Sequence, residues 1–238
     1  MSDPMRVYSM PGNDRVATVS PFSLKLETWL RMFGVPHERV DAMFQQSPNG
    51  HLPFIEHEGE RLTDSARIIA YTKNAFGIDP DAGLSASERA LATLVTNALE
   101  EGFKFVRVYD TFVDDANFER AKAYVCARLP TELHEVVPAG IRKTMLEKLA
   151  HQGMATLTRD EVHAKGASII AAVAALLGDT PFFFGQRPTT LDATVYGFLA
   201  TQLRGLVESP VCDAVRAHPN LVDFLQRIDS RYWAKDAA

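Results

Sequence analysis

The order of hydrophobic patterns in the first third of the chain constrains its fold most. Met5–Met10 is a short apolar run that reads as a strand, and a loop carrying Pro11 and Gly12 follows it. From Pro21 to Phe33 the residues Leu24, Leu26, Leu30 and Phe33 recur near a period of 3.6, which predicts an amphipathic helix, and Gly34 stands where a C-cap belongs. Val35–Val40 reads as a second strand. After the polar loop Gln45–Gly50, the run Leu52-Pro-Phe-Ile-Glu56 and the pair Arg61-Leu62 flank Glu58-Gly59, the pattern of a β-hairpin. A helix from Ser65 to Phe76 closes the series.

Strand, helix, strand, strand, strand, helix is compatible with a thioredoxin-like α/β domain over residues 1–78. The short segment Asp79–Leu84, with its Pro and Gly, separates it from a second domain over residues 85–238 that is helical in pattern throughout. Ser85 caps the first of these helices, with Glu88 completing a capping box, and Leu91, Leu94, Val95, Ala98, Leu99 and Phe103 carry the helical period toward Phe112. A shorter helix is expected around Glu119–Leu129, and Pro130 and Pro138 punctuate the middle. Arg159–Leu177 reads as a long helix ended by Gly178, and Thr190–Gly205 and Leu221–Trp233 as further helices. In Thr189-Thr190-Leu191-Asp192 an Asp takes the place of the usual Glu or Gln of a capping box, which gives Asp192 a role in folding rather than chemistry.

Length and composition suit a soluble cytoplasmic enzyme: 238 residues bury a sizeable core in two units. The alanine-rich run Ala167–Leu177 is too short to span a membrane, which takes about 20 apolar residues, and it reads as a core helix. Met-Ser-Asp-Pro-Met shows no secretory signal, and Tyr232-Trp-Ala-Lys-Asp-Ala-Ala shows no terminal anchor. A net charge of −5 with no basic stripe argues against nucleic acid as the main partner. His37, His57, His134, His151, His163 and His218 have no metal-ligand spacing, so no metal is expected. Cys126 and Cys212 form neither a C-x-x-C site nor a disulfide framework and are expected to be buried packing residues.

Chemistry is expected where Ser20 stands before Pro21. A helix N-terminus presents unpaired N–H groups and roughly half a positive charge, which favours an anion such as a thiolate, and Ser20 offers its hydroxyl to it. On spacing alone Ser20 is equally a plain N-cap with proline at the first helical position.

Several segments carry a resemblance that decides between the two: Ser20-Pro-Phe-Ser-Leu-Lys-Leu-Glu-Thr28, Gly50-His-Leu-Pro-Phe-Ile55, Leu62-Thr-Asp-Ser65, Pro188-Thr-Thr-Leu-Asp-Ala193 and His218-Pro-Asn-Leu221. In that order they resemble the glutathione transferase superfamily, within it the failed-axon-connections and metaxin-like branch, over nearly the whole chain. The resemblance implies a thioredoxin-like domain followed by an all-α bundle, glutathione as cofactor, and a homodimer. It implies that Ser20 is catalytic and donates to the glutathione sulfur, with Tyr8 as a rival. It implies that Leu52, before a cis Pro53, pairs its backbone with the cysteinyl part. Asp64 and Ser65 would hold the γ-glutamyl end, His51 would reach the glycyl carboxylate, and Ser23 would join the site. Members of this branch often carry Cys at the position of Ser23, so the serine here excludes a protein thiol at this junction. Phe103, Tyr109 and Tyr124 are candidates for an apolar pocket between the domains, and equally for core residues, since aromatics at helical spacing mostly pack. The expected activity is attack of activated glutathione on a small hydrophobic electrophile. The alternative is a non-catalytic binding or tethering module, as in the metaxin-like relatives.

Overall fold

The computed structural model describes residues 4–234, so the terminal runs read above for a leader and an anchor lie largely outside the described residues. Strand β1 (Met5–Ser9) is followed by helix α1 (Pro21–Met32), β2 (His37–Asp41), β3 (Phe54–His57), β4 (Glu60–Thr63) and α2 (Ser65–Phe76). The sheet order is β2-β1-β3-β4, with β1 parallel to β2 and antiparallel to β3, and β3 antiparallel to β4. The parallel pair needs a crossover, which α1 supplies. Glu58 and Gly59 both have positive φ, as a two-residue hairpin turn requires. Val7 and Ile55 sit opposite each other and bury against Leu26, Trp29, Leu30 and Ile68, which gives this unit its own core.

From residue 86 onward the described chain is helical: α3 (Ala86–Asn97), α4 (Lys104–Phe112), α5 (Asp115–Cys126), α6 (Val136–Gln152), α7 (Arg159–Leu177), α8 (Thr190–Arg204), α9 (Pro210–Arg216) and α10 (Pro219–Ile228). The expected thioredoxin-like unit followed by an all-α bundle is the observed architecture. The helix expected to run unbroken from Ser85 to Phe112 instead passes through a π-helical stretch at Ala98–Phe103, which offsets α4 from the period of α3. Helix α6 spans a region where the prolines had suggested interruption. Pro138 is its third residue, in the first turn, where an N–H has no intrahelical partner and proline costs little. Among the described residues no helix is long and apolar enough to cross a membrane.

The two units are joined by close packing and by buried polar bonds. A Cβ added to Gly197 of α8 would lie 2.7 Å from both Pro21 O and Lys25 N, so only glycine lets α8 approach the first turn of α1 this closely. Lys25, buried in α1, pairs with Glu100 Oε1 at 2.6 Å. Trp29 Nε1 donates to Thr190 Oγ1 at 3.1 Å, and the Thr190 amide and hydroxyl donate to Asp81 at 2.9 and 2.6 Å. Burial pushes the Asp81 carboxyl up, but hydrogen bonds from Lys73 and Thr190 outweigh it and hold the group below its ordinary value.

The connection from β1 to α1 is longer than the usual 2–6 residues of such a loop, yet it is closely tied. A Cβ at Gly12 would meet Val16 O at 2.1 Å, so the loop doubles back at that residue. Val19 N donates to Pro11 O at 3.3 Å, Tyr124 Oη to Pro11 O at 2.7 Å, and Arg39 Nη2 to Met10 O at 3.2 Å and Ala17 O at 2.8 Å. These bonds fix the entry to α1, and therefore Ser20.

Candidate functional site

A groove with two contiguous lobes lies between the sheet unit and the helices α4 to α6. The polar lobe, about 480 Å³, is lined by Asn49, Pro53, Asp64, Ser65, Lys104 and Lys148 among others. The apolar lobe, about 330 Å³, is walled by Met10, Phe112, Phe118, Val125, Ile141 and other apolar side chains, with Ser20 on its surface. Phe22, His51, Leu52, Lys104, Val108 and Met145 line both, so a ligand can extend from one into the other.

The polar lobe is built at two backbone features. The Leu52–Pro53 peptide is cis, and Leu52 borders both lobes. At the start of α2, Asp64 adopts φ 76° and ψ 121°, a conformation that costs a residue with a Cβ about 1–3 kcal/mol. Its Oδ1 accepts from Ala66 N at 2.9 Å and Arg67 N at 3.0 Å, which caps the helix. Ser65 is the first helical residue, and its N–H belongs to the turn whose amides have no intrahelical acceptor. A carboxylate fits this end of the lobe, with the Asp64 carboxylate beside it for an ammonium group and Lys104 and Lys148 for a second acid. His51 stands at the junction of the lobes.

In the apolar lobe, Ser20 is the N-cap of α1. Its backbone is extended at φ −88° and ψ 122°, and its Oγ accepts from Ser23 N at 3.4 Å. That bond uses an oxygen lone pair and leaves the hydroxyl hydrogen to donate. Pro21 has no N–H to compete, and the surrounding apolar walls strengthen any bond Ser20 makes to an anion. Ser20 therefore caps the helix and keeps a hydroxyl hydrogen free to donate.

The structure sorts the other expected residues. Ser23 is fully buried, its Oγ has no partner, and it lines neither lobe; the expectation that it joins the site is corrected. Tyr8 is held elsewhere: Oη donates to Glu56 Oε2 at 2.6 Å and the ring stacks on Phe54 with centroids 4.2 Å apart. The hydrogen bond to Glu56 holds the Tyr8 hydroxyl above its ordinary pKa, and Tyr8 borders neither lobe. Of the three aromatics left open between pocket and core, Tyr124 lines the apolar lobe. Phe103 is a fully buried core residue, and Tyr109 packs against the core without lining either lobe. Cys212 is buried as expected, whereas Cys126 is half-buried. Among the described residues no three His, Cys, Asp or Glu side chains are placed to hold a metal.

Sequence reasoning missed the wall that α4 and α6 contribute: Lys104, Arg107, Val108, Ile141, Met145 and Lys148. The π-helical stretch immediately before Lys104 turns those α4 residues toward the groove, and nothing in the spacing of apolar residues announced it.

Comparison with known proteins agrees with this fold. Residues 21–117 match the family model for the glutathione S-transferase N-terminal domain, and residues 166–228 that for the glutathione S-transferase C-terminal domain. The chain is 29% identical to failed axon connections of Drosophila melanogaster over 96% of its own length, and spans 58% of that protein. It is also 29% identical to the isoprene-epoxide glutathione S-transferase of a Rhodococcus strain, over 91% of this chain and 94% of the relative. Metaxin-1 of Macaca fascicularis is 27% identical over the whole chain and 78% of that relative. In fold the chain is similar to a beta-etherase from a Sphingobium strain, with a TM-score of 0.67 at 21% identity and 98% of each chain covered. It is similar to a glutathione S-transferase of Ceriporiopsis subvermispora in complex with glutathione, with a TM-score of 0.67 at 17% identity and 96% and 98% covered. By both of its domains the chain belongs to the glutathione S-transferase superfamily, in the branch that holds failed axon connections and the metaxins.

Proposed function

We propose that this chain binds glutathione in the polar lobe and activates its thiol for attack on a small hydrophobic electrophile held in the apolar lobe. One observation carries the reading: the Ser20 hydroxyl, at the N-terminus of α1, borders an apolar lobe contiguous with a polar lobe formed by Leu52, Asp64 and Ser65. Glutathione supplies the nucleophilic sulfur, which the protein's own buried or half-buried cysteines do not. The Leu52 backbone pairs with the peptide portion. Ser65 holds the γ-glutamyl carboxylate at the head of α2, Asp64 takes the ammonium, and His51 meets the glycyl carboxylate. Ser20 donates to the sulfur and, with the α1 dipole, favours thiolate over thiol. A hydrogen bond to a charged group is worth about 1.5–3 kcal/mol, so the thiol pKa falls by about one to two units.

Calorimetric titration of glutathione into wild type and Ser65→Ala tests this assignment. Loss of a hydrogen bond to the carboxylate weakens binding by about tenfold or more. Equal binding by the two proteins would remove Ser65 from the site. No binding to wild type at about millimolar glutathione would overturn the enzyme reading and favour the second one, a non-catalytic binding module. The match to metaxin-1 over the whole chain supports that alternative.

The proposal extends to a cytoplasmic homodimer. In sedimentation velocity, a species near twice the 26.3 kDa chain mass is expected, and a monomer at every concentration would exclude it.

A further inference from the structure

Among the described residues, the apolar lobe is lined by the cations Lys104, Arg107 and Lys122 and by no Asp or Glu. In a chain with a net charge of −5 this polarity is local, not a consequence of composition. Two of the cations are balanced by acids outside the lobe, Lys104 by Glu101 at 3.1 Å and Lys122 by Glu135 at 3.2 Å. Arg107 is not balanced in this way. Its Nη1 donates to Phe198 O and Gln202 Oε1, both neutral and both at 3.3 Å, and no carboxylate of the described residues forms an ion pair with it. Asp110, one turn along α4, pairs with His163 Nε2 at 2.8 Å and acts on Arg107 through space only. Burial pushes Arg107 down to about 10, which leaves it charged at neutral pH. A half-buried charge with no ion-pair partner is costly to desolvate further, and a guanidinium has five N–H donors in a fork suited to a carboxylate.

Resting on the reading of this lobe as the electrophile's site, we propose that its substrates are apolar electrophiles bearing a carboxylate, whose acid end pairs with Arg107 while the hydrocarbon body fills the apolar walls. A neutral apolar compound would leave the guanidinium both desolvated and unpaired. A carboxylate replaces the lost water with charge-assisted bonds.

The test compares octanoate with octanol, ligands of equal chain length that differ in the end group, by calorimetric titration into the full chain at physiological salt. Octanoate is expected to bind about tenfold or more tightly than octanol, although the alcohol partitions more readily out of water. Arg107→Gln should remove that preference by weakening octanoate alone, and Arg107→Lys should retain part of it. Octanol binding as tightly as octanoate to wild type would overturn the proposal without recourse to a variant. Equal weakening of both ligands by Arg107→Gln, in a protein with unchanged melting, would also overturn it. Glutathione is titrated into the same preparations. Glutathione binding without a preference for octanoate sinks the substrate class and leaves the enzyme reading standing. A preference for octanoate without glutathione binding upholds the anion site and sinks the enzyme reading.

Discussion

Replacing Ser20 with alanine should lower the rate of glutathione conjugation by about one to two orders of magnitude while leaving glutathione bound. Ser20 borders the apolar lobe and Leu52 borders both lobes, whereas Tyr8 borders neither and donates to Glu56, so a thiol placed between the lobes would meet Ser20 rather than Tyr8. Removing a hydrogen bond worth about 1.5–3 kcal/mol to a thiolate costs a factor of about ten to 150 if the bond is made fully in the rate-limiting state. The γ-glutamyl contacts proposed at Asp64 and Ser65 would be untouched, so affinity should change far less than rate. Ser20 is also the N-cap of α1, and its loss costs about 1 kcal/mol of stability, which a melting curve separates from the kinetic effect. A Ser20→Ala protein with wild-type turnover on an electrophile that the wild type conjugates would remove Ser20 from the mechanism. Tyr8→Phe serves as the control and should be nearly silent.

Asp192→Ala should be the most damaging single change to stability away from the groove. Asp192 is fully buried at the head of α8; its Oδ2 accepts from the Thr189 amide at 2.7 Å and hydroxyl at 2.8 Å, and its Oδ1 from Phe183 N at 2.9 Å. Alanine leaves those donors buried without acceptors at about 1–3 kcal/mol each, besides the lost cap. A fall in Tm of roughly 10 °C is expected for a chain of this size. Burial pushes the Asp192 carboxyl up to about 6, against about 3.9 for an unperturbed Asp. Between those values the native state holds a proton that the unfolded chain has released. The contribution of Asp192 is therefore fully present below about pH 4 and declines as pH rises through about 6. The gap between wild type and variant should thus be wider near pH 4 than near pH 7. A variant melting like the wild type would show that the box does not hold α8.

The elements of the first unit were legible because each has a local cause. The alternation of β1, the Glu58-Gly59 turn and the Ser20-Pro21 start of α1 are set by residues adjacent in sequence. So were the capping boxes at Ser85 and Asp192. Helix α6 was not legible, because its apolar residues are spread around its circumference and only Pro138 and Leu149 are buried. Helix α9, also missed, is a short element after Ser209, with too few residues to show a period. The groove was half legible. Ser20, His51, Leu52, Pro53, Asp64 and Ser65 form its first wall, each marked by proline, serine or a helix start. The facing wall depends on which side of α4 and α6 meets the sheet unit, a property of tertiary packing and of the π-helical offset before Lys104. For that reason Arg107 carried no signal, Phe103 stayed open between pocket and core although packing makes it core, and Ser23 was grouped with Ser20 although packing seals it inside.

The most direct measurement is the ultraviolet thiolate absorbance of glutathione bound to the wild-type protein, followed as a function of pH with Ser20→Ala alongside. The account predicts a thiolate band whose midpoint lies about one to two units below that of free glutathione, and a midpoint returning toward the free value in Ser20→Ala. Bound glutathione that titrates like the free thiol in the wild type would contradict it.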